Sequence, residues 1–393
     1  MKIRTILLHS FIFLLLTLLS CNSKDSSTND DSQHSDSLQK HDYIPKTIDL
    51  KYAQGFSVET FENYYRVHIH NPWDKGRDLA VYILAYPLQY HKQNLKENEL
   101  LIDLPIKRVA IMSVSNIGYF DLLNRLGAIA ALADGQRLYN PDLRSAVELG
   151  SVKVLGNSAS INKEELLLAD CDIFIQTAYE ASSGKDKSMI EAGIKVVYNI
   201  DWMEETPLAR AEWIKFIGLL MGENDVADSV FKQIEQNYIA LKTKAELFDY
   251  KPDVLLGGLY KDVWYMPGGR SYKAHLLKDA GTNYRWATDS TKGSLALSFE
   301  TVLEQQIDAP VWVEVPFTTK KQLLVSDERY AFFDAFKIGT LYHNLKRSNA
   351  TGGNDYWERG HCRPDELLED LMRIFHREDM DEGELKYYGR VTK

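Results

Sequence analysis

The longest regular pattern in the chain runs from Asp225 to Leu247. Its apolar residues stand at Ala227, Val230, Phe231, Ile234, Tyr238, Leu241 and Ala245. Steps of three and four line one face of an α-helix. Asp225 sits where an N-cap belongs, just after a helix-ending Gly222. About 23 residues at ~1.5 Å each give a rod of ~35 Å, as long as a small domain is wide. Strand and helix patterns alternate on both sides of it. Before it, buried-type strands fall at 108–114, 129–133, 152–155, 172–176 and 194–200, with helical stretches at 164–169 and 187–192. Thr206-Pro207 has the form of an N-cap and first-turn proline, and helix follows through 213–221. After the long helix come a strand at 253–258, helices at 271–280 and 298–306, strands at 311–315 and 340–343, and a closing helix at 364–375. Such alternation builds parallel βαβ units. The pattern predicts an α/β protein of two Rossmann-like lobes bridged by one long α-helix, with an N-terminal β-rich extension.

The first hundred residues have a different texture. Lys2 and Arg4 precede an apolar run from Ile6 to Leu19, followed by Ser20 and Cys21. This is the form of a signal peptide over residues 1–20, with a run too short for a comfortable membrane span. Leu18-Leu19-Ser20-Cys21 resembles a bacterial lipobox. That resemblance implies that Cys21 becomes the lipid-modified first residue, anchored at the cell envelope, facing the periplasm or the cell surface. Residues 21–46 are polar and read as a flexible tether. Residues 47–104 are β-rich and are expected to pack on the first lobe. Tyr65, Val67 and Ile69 alternate with Arg66, His68 and His70, Asn71-Pro72 makes a turn, and Leu79 to Tyr86 is a further strand. His68 and His70 share a strand face. Without a third ligand nearby they read as a solvated face, and no metal site is assigned. The remaining boundaries are 105–203 for the first lobe, 204–249 for the bridging helices and 250–393 for the second lobe.

Composition narrows the function. The 393 residues are 45% hydrophobic and 26% charged, enough for two cores. The formal net charge is −10, and loss of Lys2 and Arg4 with the signal peptide takes it to −12. Such a balance argues against nucleic acid as a partner. Cys171 and Cys362 lie in widely separated segments and read as two separate buried thiols, although a disulfide is allowed outside the cytoplasm. No nucleophile elbow, zincin motif or phosphate loop appears in its required context, and the pairs Gly257-Gly258, Gly268-Gly269 and Gly352-Gly353 read as turns. Nothing points to catalysis.

The aromatics say more. Seven Trp and 22 Tyr are many, and several follow predicted strands, where α/β sheets place ligands. They include Tyr119, Tyr139, Tyr179, Trp202, Tyr260, Trp264, Tyr265, Trp286, Phe317 and Asp355-Tyr356-Trp357. Each alone fits core packing; the set fits an aromatic-walled pocket for a large flat ligand. The two halves also echo one another. Glu164 and Glu300 each open a helix, and each is followed eight residues later by an aspartate, Asp172 or Asp308, before a strand. An acid in the first turn complements the helix dipole.

From about Arg108 to Phe375 the chain resembles the substrate-binding proteins of ABC importers for vitamin B12, iron-siderophores and haem. The resemblance rests on RVAIMSVSNIGYFDLLNRLG, INKEELLLADCDIFI, DVADSVFKQIEQNYIALK, LSFETVLEQQIDAPVWV and GNDYWERGHCRPDELLEDLMRIFH, in that order. It implies two α/β lobes bridged by a long helix, and leaves 47–104 unexplained. It implies that Glu164 and Glu300 dock onto arginines of an ABC permease dimer, where charge pairs set docking rate and register. It implies ligand contacts at Ser115, Asn116, Asn157, Thr177, Trp202, Tyr260, Trp264, Trp286 and Tyr356, to which the aromatic pattern adds Tyr119. The expected protein is a monomeric binding lipoprotein, not an enzyme. It has no cofactor of its own; the ligand itself carries cobalt or iron. Aromatic loops place a cobalamin-type corrinoid slightly ahead of a ferric siderophore, since Arg270 and Arg285 are the few arginines there to meet an anionic chelate. Haem asks for a Tyr or His iron ligand, which His343 or His361 offers. The rival reading is a permease-independent surface lipoprotein that scavenges haem or corrinoid. A rigid bridge implies little lobe motion on binding.

Overall fold

The computed structural model describes residues 45–179, 184–381 and 383–393. The signal peptide, Cys21 and the tether through residue 44 lie outside the described residues.

The β-rich stretch is a four-stranded sheet. β1 (Phe56–Thr60), β2 (Tyr64–His70) and β3 (Asp78–Ala85) run as an antiparallel meander, and β4 (Glu99–Asp103) joins β3 in parallel. Tyr65, Val67 and Ile69 point into the core, as their alternation requires. On the other face, His68 and His70 close on the two oxygens of Asp78 at 2.7 and 3.2 Å.

The first lobe is built on β5 (Val109–Ile111), β6 (Ile129–Leu132) and β7 (Lys153–Val154). A small hairpin of β8 (Gly156–Asn157) and β9 (Ser160–Ile161) follows, then β10 (Ile173–Gln176) and β11 (Val196–Tyr198). The five-stranded sheet has the order β11-β10-β5-β6-β7, parallel throughout. Helices α1 (Ile117–Leu122), α2 (Pro141–Glu148), α3 (Lys163–Leu168) and α4 (Gly184–Glu191) occupy the connections. Every residue of β5, β6, β10 and β11 is buried, which is why these strands read as unbroken apolar runs.

Three helices come next: α5 (Pro207–Glu212), α6 (Ile214–Met221) and α7 (Asn224–Glu246). All of α6 is buried. Trp213 and Phe216 meet Phe56 of the extension at 4.7 and 5.7 Å between ring centres. The extension thus packs on α6, and it reaches the first lobe where Tyr82 OH accepts from Tyr198 N at 2.9 Å. Gly222 ends α6 in the left-handed region, φ 71°. Asp225 is not the cap of α7: Glu223 precedes the helix without a side-chain cap, and Asp225 lies in the first turn, paired with Lys46.

The second lobe begins with β12 (Val254–Leu256). A meander of β13 (Leu259–Tyr260), β14 (Val263–Pro267) and β15 (Ser294–Leu297) follows, with α8 (Tyr272–Asp279) between the last two strands. This antiparallel piece is not part of the expected alternation. Trp264 and Met266 point inward and Tyr265 outward, a period of two confined to a few residues. Next come α9 (Phe299–Gln306) and β16 (Val311–Val313), which pairs in parallel with β12, then α10 (Lys320–Ser326) and α11 (Asp334–Ile338). β17 (Tyr342–His343), α12 (Asp355–Glu358), α13 (Pro364–Phe375) and β18 (Gly389–Arg390) complete the lobe, β18 pairing with β17.

α7 is held along its length. At its midpoint, Glu235 takes Lys51 Nζ at 3.1 Å and Tyr52 OH at 2.7 Å from the extension's lead-in. Further along, Tyr238 OH donates to Asp279 at 2.8 Å, Asn237 to Asp365 at 3.1 Å, and Lys242 pairs with Asp279 at 2.9 Å. The lobes also touch directly. A Cβ on Gly118 of α1 would lie 2.7 Å from Glu358 O and 2.8 Å from Cys362 Sγ. Only glycine lets the two backbones approach so closely.

The lead-in is stitched down by buried carboxylates. Glu212 accepts the N–H groups of Lys51, Tyr52 and Ala53 at 3.0, 2.8 and 2.9 Å and pairs with Lys215 at 3.1 Å. Removing that carboxylate leaves three amides unanswered and leaves Lys215 only Asp228 at 3.6 Å and the Asp49 carbonyl. Breaking a buried pair costs about 3–5 kcal/mol. Glu212→Ala should therefore lower the urea-unfolding free energy by about that amount and open the lead-in to proteolysis near residue 51. An unchanged unfolding midpoint would contradict this.

Candidate functional site between the lobes

Loops at the carboxyl ends of both parallel sheets meet in a polar seam. From the first lobe come the turn at 113–116, Tyr119 and the loop after β11. Tyr119 OH lies 2.9 Å from both Asp201 Oδ2 and Arg210 O. Arg210 Nε donates to Asp201 Oδ2 at 3.0 Å. Burial alone would raise the Asp201 carboxyl, but Arg210 and its other partners hold it below the usual range. From the second lobe, His361 places its ring edge-on to Tyr119 at 5.6 Å. Burial, with Arg210 nearby, pushes the imidazole down to about 3, so it is neutral. Its 3.5 Å approach to Asp201 is therefore no ion pair.

A second network continues the seam. Lys273 donates to Glu314 and to Tyr356 OH, and Tyr388 OH donates to the same Glu314 oxygen at 3.1 Å. Burial works against the Lys273 ammonium, yet Glu314 keeps it charged and well above its ordinary value. Glu314 stands just past the end of β16 with φ 56°, a strained backbone at the place where α/β sheets bind ligands. Tyr272 joins the networks, with Arg210 5.4 Å and Lys273 5.6 Å from its ring centre. Nearer solvent, Glu205 of the first lobe pairs with Arg270 at 2.9 Å and with Lys292, both of the second lobe. A cavity of about 570 Å³ opens beside this pair, lined by Met203, Glu204, Glu205, Lys292 and, from the extension, Pro72 and Lys75.

The sequence-predicted contacts separate into distinct environments. Trp202 is 38% exposed and lies 5.8 Å from the exposed Tyr179 ring. Ser115 and Trp286 are half-buried, Trp286 beside Tyr284. Tyr260 is exposed at the β13–β14 turn, under Lys261. Asn157 is exposed, and its side chain accepts from Ala159 N within its own hairpin. Thr177 is buried past the end of β10. Asn116 is buried and accepts from Asn199 at 2.5 Å. Tyr119 and Tyr356 are buried with their hydroxyls engaged, so they brace the seam and present no open face to a ligand. Trp264 is a core residue: its Nε1 donates to Leu256 O at 2.7 Å, and Phe299, Trp312, Tyr330 and Phe333 surround it. His343 and His361 are buried, and among the described residues no group of His, Cys, Asp and Glu is arranged to hold a metal. Cys171 and Cys362 are free thiols.

Asp201, Arg210, Lys273 and Glu314 were not foreseen. One signal was available: Glu314 is a lone charge in Val311-Trp-Val-Glu-Val315, an otherwise apolar strand. Glu164 and Glu300 both lie exposed in the first turns of α3 and α9, with Asn162 and Ser298 as N-caps; Glu300 pairs with Arg329 at 3.0 Å.

Residues 113–345 match the periplasmic binding protein family. The chain is 26% identical to an uncharacterized lipoprotein of Methanocaldococcus jannaschii, over 73% of this chain and 69% of the relative. Among solved structures, a periplasmic heme-binding protein from Pseudomonas aeruginosa superposes with TM-score 0.56 at 16% identity, covering 73% of this chain and 99% of that one. An ABC-type Fe3+-hydroxamate transport protein from Saccharomonospora viridis gives 0.53 at 17% identity, covering 70% and 95%. At such identities these structures share the fold.

The neutral His361 has a measurable consequence. Its folded value of about 3 lies below the ordinary 6.5, so the unfolded chain takes up the proton first as pH falls. Its contribution is complete above pH 6.5 and is lost as pH drops toward 3. Glu358, raised by burial from 4.5 to about 7, acts oppositely: its contribution falls as pH rises through that window. The difference between wild type and His361→Gln isolates the imidazole. Wild type should lose about 2–3 kcal/mol more than the variant between pH 6.5 and 4.5 in urea titrations. Parallel pH profiles would show that His361 is charged in the fold.

Proposed function

The chain belongs to the periplasmic binding protein family, and we propose that it captures a metal chelate, a cobalamin-type corrinoid or a ferric siderophore, and delivers it to an ABC importer. Binding rather than catalysis is the work of this family. The exposed Tyr179–Trp202 pair beside the seam carries the reading. Aromatic faces at a cleft suit a broad, partly apolar ligand. The cations nearby are already answered: Arg210 by Asp201, Lys273 by Glu314, and Arg270 and Lys292 by Glu205. With four cations against three carboxylates, a single excess positive charge, a weakly charged corrinoid fits somewhat better than a multiply anionic chelate. The structural neighbour from the ABC-type Fe3+-hydroxamate transport system of Saccharomonospora viridis supports the siderophore alternative.

The anchor is lipid at Cys21, a reading supported by the relative named a lipoprotein. Glu164 and Glu300 are the permease contacts. Both are exposed on capped helices, one in each lobe, as a two-point docking surface requires.

Titration of the purified protein with cyanocobalamin, ferrichrome and haemin tests the ligand class. A corrinoid or siderophore should bind with Kd below about 1 μM. Trp202→Ala should weaken that binding about tenfold, equivalent to ~1.4 kcal/mol. Binding of haemin alone, or no binding, would overturn the ligand assignment. Glu164→Arg and Glu300→Arg should keep ligand affinity and abolish cellular uptake. Loss of affinity in both would sink the docking assignment.

A further inference from the structure

A larger cavity lies within the second lobe, beyond the seam. It measures about 770 Å³ and is lined by His343, Lys346, Arg373, Arg377, Arg390 and one acid, Asp381, with Tyr342, Leu385 and Tyr388 among its less polar neighbours. β17, the end of α13 and β18 supply these walls. Four cationic side chains around one concavity stand out in a chain of net charge −10.

Their partners divide them into two classes. Lys346 is answered by Glu384 at 2.7 Å and Arg373 by Glu369 at 2.6 Å. Arg377 and Arg390 have no carboxylate partner among the described residues. Arg377 rests on the Tyr342 ring at 5.4 Å, and Arg390 donates to the Gly339 carbonyl at 3.1 Å. Neither contact cancels a charge. Burial, and then repulsion from Arg390, lower the Arg377 guanidinium from its ordinary value. The same strain reaches Lys320, which is lowered by burial and by Arg390 and Lys393. Asp381 is the one acid in the lining, and neither guanidinium pairs with it. Like charges held together in excess of their counterions cost free energy, which an anion seated between them would return.

The cavity also offers neutral donors. His343 Nδ1 accepts from Leu345 N at 3.1 Å, which leaves Nε2 to carry the hydrogen of a ring kept neutral by burial. Gly389 permits this arrangement: a Cβ there would lie 2.8 Å from Nε2. The planar, fork-shaped guanidinium groups match carboxylate and phosphate oxygens.

We propose that this cavity is a second binding site, separate from the inter-lobe cleft, for a small multiply charged oxyanion bearing phosphate or carboxylate groups. The volume exceeds what a single phosphate fills, so an organic polyanion or a pyrophosphate-like group is the appropriate size class. Its floor residue Tyr388 also donates to Glu314, which puts the site one side chain from the seam.

Calorimetric titration of the full chain in detergent with pyrophosphate, citrate and monomeric dihexanoylphosphatidic acid tests this at low ionic strength. Pyrophosphate or citrate should bind saturably at one site. Affinity should fall at least tenfold in Arg377→Ala and in Arg390→Ala, both exposed positions whose variants should stay folded. It should be unmoved in Arg270→Ala, which alters the cleft rim. Binding unchanged by the Arg377 and Arg390 substitutions would show nonspecific anion association and overturn the proposal. So would absence of saturable binding by pyrophosphate and citrate, or binding by the lipid phosphate alone, which would make the site a headgroup contact.

Discussion

Arg210 stands where the two lobes meet, and its charge has nowhere else to go. The guanidinium is answered by Asp201 at 3.0 Å and faces the Tyr272 ring of the opposite lobe. Asp201 in turn serves Tyr119. Removing one member would strand a buried charge, at a cost of about 3–5 kcal/mol. Lys273 and Glu314 repeat the condition on the other side of Tyr272. The seam therefore acts as a lock: separating the lobes would expose these buried pairs to water and part Arg210 from the Tyr272 ring. Gly118 sets how close they come, since a larger residue would strike Glu358 and Cys362.

The helices and the extension reinforce that lock from behind. α7 is fixed to the lead-in through Glu235 and to the second lobe through Tyr238 and Asn237. The lead-in is itself pinned through Glu212 and Glu204, the latter accepting Gly55 N at 2.8 Å and Trp213 Nε1 at 2.9 Å. Residues 45–104 therefore brace the helices α5, α6 and α7. They also reach the open side, where Pro72 and Lys75 line the cavity beside Glu205. If the lobes keep this separation without ligand, the ordering cost of binding is reduced.

Much of the fold was legible because it rests on periodicity. α7 and α13 announce themselves through apolar steps of three and four, and β2 through strict alternation. β14 escapes the pattern because its alternation covers few residues, and Asp225 does not cap α7 because the helix begins one residue earlier, at Asn224, and leaves Asp225 inside the first turn. The candidate site was harder. Aromatics after strands are a mixed population, and local sequence does not separate Trp264, enclosed by other rings, from Trp202, which stands in solvent. Asp201 and Arg210 are nine positions apart, but Tyr272 and His361 reach them through the fold, and no spacing rule spans that distance.

The central claim is that the lobes are held at one separation without ligand. Electron–electron distance measurement between spin labels tests it directly. Labels at Leu149→Cys and Ile338→Cys, positions 84% and 61% exposed on opposite lobes, in a Cys171→Ser background, would report the separation in the ligand-free protein. A single narrow distance distribution, broadened when Asp201→Ala breaks the seam, is the predicted result. A broad or two-peaked distribution in the otherwise unaltered protein would contradict it.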